Sequence, residues 1–402
     1  MNDRHSAAPG ALDGIRVLDL SRFIAGPYCA MVLGDMGAEV LKIEKPGSGD
    51  PARGYQPQIG GRSAYSLMFN RNKKGVALDL RSEQGLATLR ALIEKADVLV
   101  ENFRPGTMEE MGLGWDAVHH LNPRLVMVRI SGFGQDGPWA HLPAFDGIAQ
   151  AMGGLMELNG PADGPPTVCG TYLCDYASGM YATMGTLAAL RARDATGRGQ
   201  VVDVALLDAA SSFLMSALPE YHRLGHEMTR RGNRDRYSAP TNVYRARDGA
   251  WIYIVCGGAD YFPRLLRAMG RPELQQDPRF ATIQSRRDHW DDSEALVREW
   301  AATLDAENVV GLLREHDVPC GKVATIPEVA NNPQLHHRGQ IVRIDDPVCG
   351  EITMQGVTIR LSETPLTIRS PMPEVGQHTE EVLRAWLDTQ PGETPVAQGV
   401  LA

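Results

Sequence analysis

The sequence is poor in the features that mark several common classes of protein. Its 402 residues include six cysteines, scattered without CxxC or Cys/His spacing, so the pattern predicts neither a disulfide scaffold nor a metal site. Apolar runs are too short to cross a bilayer, and residues 1–11 lack the hydrophobic stretch of a secretory signal. We therefore predict a cytoplasmic protein without a membrane segment or a bound metal ion.

Positive charge is also scarce and dispersed. The chain has 40 basic and 49 acidic residues, a net charge of −9, and no run of lysine and arginine concentrates charge on one element. This balance argues against a nucleic acid as partner. Hydrophobic residues make up 43% of the chain, which is enough to bury the core of one large domain or of two smaller ones.

Short apolar runs alternate with helical patterns through the first half of the chain. The runs IRVLDL, EVLKIE, DVLVE and LVMVRIS are typical of buried strands, and the segments between them are typical of crossover helices. This alternation predicts an α/β fold with a doubly wound parallel sheet, whose ligands bind at the carboxyl ends of the strands. Helical spacing recurs over Asp175–Arg193 and Leu207–Leu224, and Asn72–Lys74 is predicted to be a charged turn before a strand.

The composition changes at Gly225–Arg236, a polar and basic segment that predicts a domain boundary. A smaller α/β region follows it. Beyond residue 332 we predict three strands, the last over Thr358–Leu361, and a final helix over Thr379–Leu387. The predicted division is a large domain formed by residues 1–224 and 333–402, with residues 225–332 as a small domain between its two parts.

Several common catalytic motifs are missing. The turn after the first predicted strand, SRFIAGP, lacks the GxGxxG that brings a pyrophosphate onto a helix start. GxxxxGK[ST], HExxH and GxSxG do not occur either, which disfavours P-loop, zincin and serine-hydrolase chemistry. The remaining enzyme interpretations must use carboxylates, amides and loops.

Asp175 is a carboxylate near the start of a long helical pattern. Amides at a helix N-terminus stabilise an ionised carboxylate, and an ionised carboxylate is a usable nucleophile. An aspartate at this position also commonly caps its helix, and the spacing alone favours that structural role.

Other candidate groups lie in loops that follow predicted strands. Lys45 suits a ligand phosphate, although a solvated loop lysine fits the pattern better without context. The segment Glu101–Gly106, ENFRPG, offers an amide, an aromatic face and a guanidinium together, a set that suits an adenine nucleotide. A plain loop at the end of a strand explains it equally well.

Taken together, these segments resemble the class III coenzyme A transferases, the family of formyl-CoA transferase and crotonobetainyl-CoA:carnitine CoA-transferase. The resemblance covers nearly the whole chain, and many blocks agree in order and spacing. The blocks are LDGIRVLDLSRFIAGPYCAMVLGDMGAEVLKIEKPGSGDPAR, NRNKKGVALDLRSEQG, ADVLVENFRPGTMEEMGLGW, NPRLVMVRISGFGQDGP, DYASGMYATMGTLAALRARDATGRGQVVDVALLDA, VPCGKV and GQHTEEVL.

The resemblance implies a mechanism, and it favours a catalytic role for Asp175 over the helix-capping role. This carboxylate would be the nucleophile that attacks an acyl-CoA thioester, forming an aspartyl mixed anhydride and then an aspartyl-CoA thioester. CoA would be a substrate, with no tightly bound cofactor. The implied CoA site comprises Phe23, Ile24, Ala25, Lys45, Leu78, Arg81, Asn102, Phe103 and Arg104, of which Lys45, Arg81 and Arg104 suit the phosphates and Phe103 borders the adenine.

The resemblance also implies a Rossmann-like large domain, a smaller inserted α/β domain and a homodimer of two interlocked ring-like subunits. The partners would be an acyl-CoA and a carboxylic acid. Formyl-CoA relatives carry a long glycine-rich loop where this chain has only Gly257-Gly258, which disfavours oxalate or formyl-CoA chemistry.

Two other functions remain open. An α-methylacyl-CoA racemase would share the fold and the aspartate, but it pairs that aspartate with a histidine, and Phe145 occupies the histidine position. A non-catalytic CoA-binding protein would retain the scaffold without turnover. The retained Asp175 favours an enzyme over this last possibility.

Overall fold

The computed structural model describes residues 9–387, which divide into two compact units. The larger unit comprises the chain up to Leu155, Cys169–Met215 and the chain from Pro333. The smaller unit comprises Met156–Val168 and Ser216–Asn332. Each unit has its own sheet and its own buried core.

The larger unit is built on a parallel sheet with helices on both faces. Its strands and helices, in chain order, are β1 (Arg16–Asp19), α1 (Ala25–Asp35), β2 (Glu39–Glu44), β3 (Gln58–Ile59), β4 (Arg62–Ser63), α2 (Ala64–Phe69), β5 (Lys73–Ala77), α3 (Glu83–Lys95), β6 (Val98–Glu101), α4 (Thr107–Glu110), α5 (Trp115–Leu121), β7 (Val126–Ser131) and α6 (Asp146–Met152). After α7 (Leu155–Leu158), at the boundary between the units, it continues with α8 (Leu173–Thr196), β8 (Val201–Ala205) and α9 (Leu206–Ser211).

The strand order of the main sheet reverses direction at its centre. Across the described residues this sheet has the order β5-β2-β1-β6-β7-β8, with all neighbours parallel. The chain moves outward from β1 to β2 and β5, and it then returns to the other side of β1 at β6. The crossover helices after β1 and β6, α1 and α5, therefore pack on opposite faces of the sheet, and this switch point is where open α/β sheets bind ligands.

Alternate residues of each strand pack on opposite faces of this sheet. Val17 and Val98 belong to a core shared with α1 and α8, whereas Leu18 and Leu99 belong to a core shared with α3 and α5. All four side chains are fully buried. Because both faces are covered, apolar residues stand at consecutive positions of β1 and β6.

The smaller unit packs helices against a short antiparallel sheet. It contains α10 (Ala217–Leu224), β9 (Thr241–Arg245), β10 (Trp251–Val255), α11 (Tyr261–Ala268), α12 (Ile283–Asp288), α13 (Trp290–Ala301), α14 (Ala306–Glu315), β11 (Cys320–Lys322) and α15 (Ile326–Ala330). Ile252, Phe262, Leu265 and Val297 are buried in its core. The chain then returns to the larger unit with α16 (Pro333–His337), β12 (Ile341–Asp346), β13 (Gly350–Gln355) and α17 (Thr379–Leu387).

The predicted α/β fold with a parallel sheet is confirmed, whereas one predicted helix and one predicted strand are wrong. The helix predicted over Leu207–Leu224 is broken into α9 and α10, and Met215 between them has a left-handed backbone with a φ of 52°. The strand predicted over Thr358–Leu361 does not form. Its apolar side chains Ile359 and Leu361 stay exposed, so no packing partner stabilises an extended strand there.

Two helical glycines are expected to respond oppositely to alanine. A Cβ on Gly179 would lie 2.7 Å from the Ala25 carbonyl oxygen and 2.8 Å from the Tyr28 ring, at the contact of α8 with α1. A Cβ on Gly311, in α14, meets nothing within 4 Å. Gly179→Ala should lower the free energy of unfolding by about 1–3 kcal/mol through overpacking, whereas Gly311→Ala should raise it by about 0.5–1 kcal/mol. Urea denaturation measures both changes, and equal effects would contradict the close approach of the two helices.

Candidate active site

Asp175 is the third residue of α8, and another carboxylate caps that helix. Asp146, from α6, accepts hydrogen bonds from the backbone N–H groups of Cys174 at 2.6 Å and Asp175 at 3.1 Å. The Gln150 side-chain amide donates to the same carboxylate at 2.5 Å. Because Asp146 takes up the free N–H groups at the helix start, the Asp175 side chain is left without a capping role.

The electrostatics of Asp175 differ from the sequence expectation. Burial first, and then the negative charge of Asp146, raise the pKa of the Asp175 carboxyl to about 7. We expected the helix amides to favour its ionised form, and this expectation is wrong because Asp146 accepts from those amides. The result is a carboxylate that is unusually basic near neutral pH.

Five aromatic rings form a row in the larger unit. The row begins at the residue before Asp146 and ends three residues before Asp175. The rings in contact, with centroids 5.8–6.1 Å apart, are in order Phe145, Phe23, Tyr55, Tyr65 and Tyr172. The hydroxyl oxygens of Tyr65 and Tyr172 lie 3.1 Å apart, and this hydrogen bond, followed by burial, raises the pKa of Tyr172 to about 12. Several of these rings are partly exposed, so they offer an apolar surface beside the carboxylate.

The predicted CoA-binding residues follow four neighbouring strands of the parallel sheet. Phe23, Ile24 and Ala25 follow β1, Lys45 follows β2, Leu78 and Arg81 follow β5, and Asn102, Phe103 and Arg104 follow β6. Because these strands are parallel, all nine residues lie at one edge of the sheet. Helix α8 crosses back between β7 and β8, and its N-terminus brings Asp175 to the same edge.

The side chains of this set differ in what they present. Lys45, Arg81 and Arg104 are exposed, and none forms an ion pair with a described residue. Their positive charges are available to an anion. Ile24 and Ala25, in contrast, are buried in the protein core, so they can offer a ligand mainly their backbone.

A group of buried charges below this edge escaped the sequence analysis. Lys73 was expected in a charged turn, but it belongs to β5 and is fully buried, with its Nζ 2.8 Å from Asp19 Oδ2. Lys42 is also fully buried, 3.7 Å from Asp19 and 3.4 Å from Asp50. The sequence carried a signal, since Asp19 stands between Leu18 and Leu20, and Lys42 between Leu41 and Ile43.

The described residues contain neither a metal cluster nor a membrane span. Across residues 9–387 no three His, Cys, Asp or Glu side chains come together as metal ligands would. Within the same range no helix combines the length and apolarity that crossing a bilayer requires.

Comparison with known proteins places this architecture in a class of enzymes. A crystal structure of a CAIB/BAIF family protein from Brucella suis superposes with a TM-score of 0.84 at 32% identity, covering 94% of this chain and all of that one. Succinyl-CoA–D-citramalate CoA-transferase from Chloroflexus aurantiacus is 42% identical over 93% of each chain. A formyl-CoA:oxalate CoA-transferase from Streptomyces avermitilis is 36% identical over 92% of this chain and 94% of its own. The protein is thus a transferase that acts on CoA thioesters.

The chain also matches a protein-family model over most of its length. The model of CoA-transferase family III matches residues 12–379. The chain belongs to this family, which confirms the resemblance drawn from the sequence.

Proposed function

We propose that the protein moves CoA from an acyl-CoA thioester to a carboxylic acid through covalent intermediates on Asp175. The observation that carries this proposal is the state of that side chain. The Asp175 carboxylate accepts no hydrogen bond from a described residue, although its backbone N–H donates to Asp146, and its pKa is raised to about 7 at the carboxyl edge of the sheet. A basic, weakly solvated carboxylate is a stronger nucleophile than an exposed one.

The proposed reaction begins with two acyl-transfer steps that consume the donor acyl-CoA. A carboxylate oxygen of Asp175 attacks the thioester carbonyl carbon, the C–S bond breaks, and CoA leaves as a thiolate. The product is a mixed anhydride between Asp175 and the donor acid. The thiolate then attacks the aspartyl carbonyl carbon, which releases the donor as a carboxylate and leaves an aspartyl-CoA thioester.

The acceptor acid reverses these steps. Its carboxylate attacks the aspartyl thioester, expels the CoA thiolate and forms a second mixed anhydride. The thiolate then attacks the acyl carbon of the acceptor, which regenerates the Asp175 carboxylate and releases the new acyl-CoA. Each step preserves an activated acyl bond, so the transfer needs neither a metal ion nor an external energy source.

We place CoA along the loops at the carboxyl edge of the sheet. Lys45, Arg81 and Arg104 would bind its phosphates, since they are exposed cations without an acidic partner among the described residues. Phe103 would border the adenine, and the remaining residues would line the path of the chain: Phe23, Ile24, Ala25, Leu78 and Asn102. CoA is a substrate in this scheme, and no tightly bound cofactor takes part. The relatives named for succinyl-CoA support succinyl-CoA as the donor.

We also propose the assembly implied by the family, an interlocked homodimer with residues 225–332 as an inserted small domain. Met180 and Met184, on one side of α8, are 46% and 55% exposed. Large exposed apolar side chains of this kind are typical of an interface. Light scattering coupled to size-exclusion chromatography should give twice the monomer mass.

The racemase alternative is not favoured. Phe145 has no proton to exchange, and its ring packs edge-on against Phe23 with centroids 5.9 Å apart. A racemase needs an acid and a base on opposite sides of the α-carbon. The transferase needs the single nucleophile that this site offers.

The experiment that tests the proposal separates the candidate functions. The enzyme is incubated with an acyl-CoA and an isotopically labelled acid; one portion is quenched with acid to measure label in the acyl-CoA, and another is trapped with hydroxylamine and digested for mass spectrometry. We expect label in the new acyl-CoA and a hydroxamate on Asp175. Loss of an α-proton without exchange of CoA would support a racemase, and binding without either reaction would support a non-catalytic protein. Rapid exchange with Asp175 unmodified would contradict the covalent mechanism.

The pH dependence of the reaction should report the ionisation of Asp175. Because the ionised form attacks, log(kcat/KM) should rise with unit slope below pH 7 and level off above it. Asp146→Asn removes the neighbouring negative charge, so the pKa should fall and the rising limb should move to lower pH. Steady-state rates from pH 5 to 9 measure both profiles. If the rising limb of the pH profile stays unchanged in Asp146→Asn, a group other than Asp175 controls that limb.

A further inference from the structure

Asn102 uses its side-chain amide to hold the backbone of Arg22, in the turn that follows β1. Its Oδ1 accepts from the Arg22 N–H at 2.7 Å, and its Nδ2 donates to the Arg22 carbonyl oxygen at 2.7 Å. Both polar atoms therefore engage the same residue, and the pair of bonds fixes the plane of the amide. Two of the four hydrogen-bonding positions of this amide are thus committed to the protein chain, and they fix its orientation.

Buried charges hold the same turn from the other side. Phe23 has a left-handed backbone with a φ of 65°, which is costly for a bulky residue. Its N–H donates to the two carboxylate oxygens of Asp50 at 3.2 and 3.3 Å. Lys42 lies 3.4 Å from Asp50 and donates to the Ser21 carbonyl oxygen. The turn is irregular, yet the N–H groups of Arg22 and Phe23 and the carbonyl groups of Ser21 and Arg22 all have hydrogen-bond partners, which fixes its shape.

The turn presents one side chain to solvent, the guanidinium of Arg22. This group is exposed and stacks on the Phe103 ring, with its central carbon 4.9 Å from the ring centroid. No carboxylate of residues 9–387 lies within 4 Å of it. A stacked guanidinium keeps the N–H groups at its edge free, and these match the oxygens of a phosphate.

We propose that Arg22 binds a phosphate group of CoA and that Asn102 is a positioning residue acting through Arg22. The proposal rests on the proposed function, because it takes CoA as the ligand. It changes the role of Asn102, which the sequence placed among the residues that touch CoA. It also adds a cation to the site that the sequence analysis overlooked, because Arg22 stands in a segment without a phosphate-binding motif.

A double-mutant cycle tests the proposal by equilibrium binding of CoA to the full chain, measured by calorimetry without turnover. Arg22→Gln should weaken CoA binding about tenfold, the value of one charge-assisted hydrogen bond. Asn102→Ala should weaken it by a similar factor. The combined variant should bind no more weakly than Arg22→Gln alone, since one contact cannot be lost twice. Arg124→Gln, at an exposed arginine before β7, should bind like the unchanged protein.

A second probe identifies the part of CoA involved. Pantetheine lacks the phosphates, so its affinity should be the same for Arg22→Gln and the unchanged protein. Unaltered CoA affinity in Arg22→Gln, or an equal loss for pantetheine, would overturn the role of Arg22. If the two losses of CoA affinity multiply in the combined variant, the two residues act independently, and Asn102 contacts CoA itself. If Asn102→Ala fails to fold, Arg22→Gln, at an exposed position, still decides whether Arg22 binds a phosphate of CoA.

The result of the CoA-binding experiments does not depend on the covalent mechanism. At saturating acyl-CoA, the Arg22 and Asn102 variants should still form the hydroxamate on Asp175. Failure of that labelling in the unchanged protein, with the binding cycle as expected, would refute the covalent route and leave the role of Arg22 intact.

Discussion

Asp175→Ala is expected to lower the rate of CoA transfer about 10⁴-fold or more while CoA still binds. In the proposed mechanism both the anhydride and the thioester are formed on this carboxylate, so no other described group replaces it. Loss of a nucleophile typically has an effect of this size or larger. The rate is measured by the appearance of labelled acyl-CoA, and CoA affinity is measured separately by calorimetry.

Two further variants make the Asp175 result specific. Asp175→Asn keeps the size of the side chain and removes its charge, so it should be as inactive as the alanine variant. Asp116→Ala changes an exposed aspartate in the first turn of α5, and it should retain full activity. Near-normal transfer by either Asp175 variant would refute the assignment of the nucleophile.

Lys73→Met is expected to lower the free energy of unfolding by about 3–5 kcal/mol, the usual cost of removing one partner of a buried ion pair. Lys73 and Asp19 are both fully buried. The Lys73 ammonium also donates to the Pro27 carbonyl at 2.9 Å and to Asn70 Oδ1 at 3.1 Å, and both acceptors would lose a donor. Urea denaturation monitored by circular dichroism measures the change.

The adjacent lysine provides a matched control. Lys74 lies on the same strand and forms ion pairs with Glu39 and Glu381, but its side chain is 36% exposed. Lys74→Met should change the free energy of unfolding by less than about 1 kcal/mol, as is usual for surface pairs. Similar losses in the two variants would mean that burial does not distinguish them.

The sheet could be predicted from the sequence because its physical cause is local. The segments Glu39–Glu44 and Leu125–Ser131 were placed within a residue of β2 and β7, since short, mainly apolar runs are typical of strands buried between helices. The helix Thr379–Leu387 was likewise placed correctly from its spacing. Short elements such as α2 were missed, because six residues give too little periodicity to recognise.

The chemistry of the site was less accessible to sequence reasoning. The raised pKa of Asp175 depends first on burial and then on Asp146, 29 positions earlier in the chain, and both act only in the folded protein. The burial of Lys73 depends in the same way on Asp19, from a different strand. Residue types indicate which groups can react, but pairings between distant segments determine their charge states.

The capping of α8 by Asp146 has a consequence for the energetics of the catalytic cycle. In free enzyme above pH 7, two carboxylates lie close together and one of them is poorly solvated. In the proposed mechanism, joining Asp175 to an acyl group or to CoA makes this side chain electrically neutral and removes its repulsion with Asp146. If such adducts form, they should therefore resist thermal unfolding better than the resting enzyme in alkaline buffer.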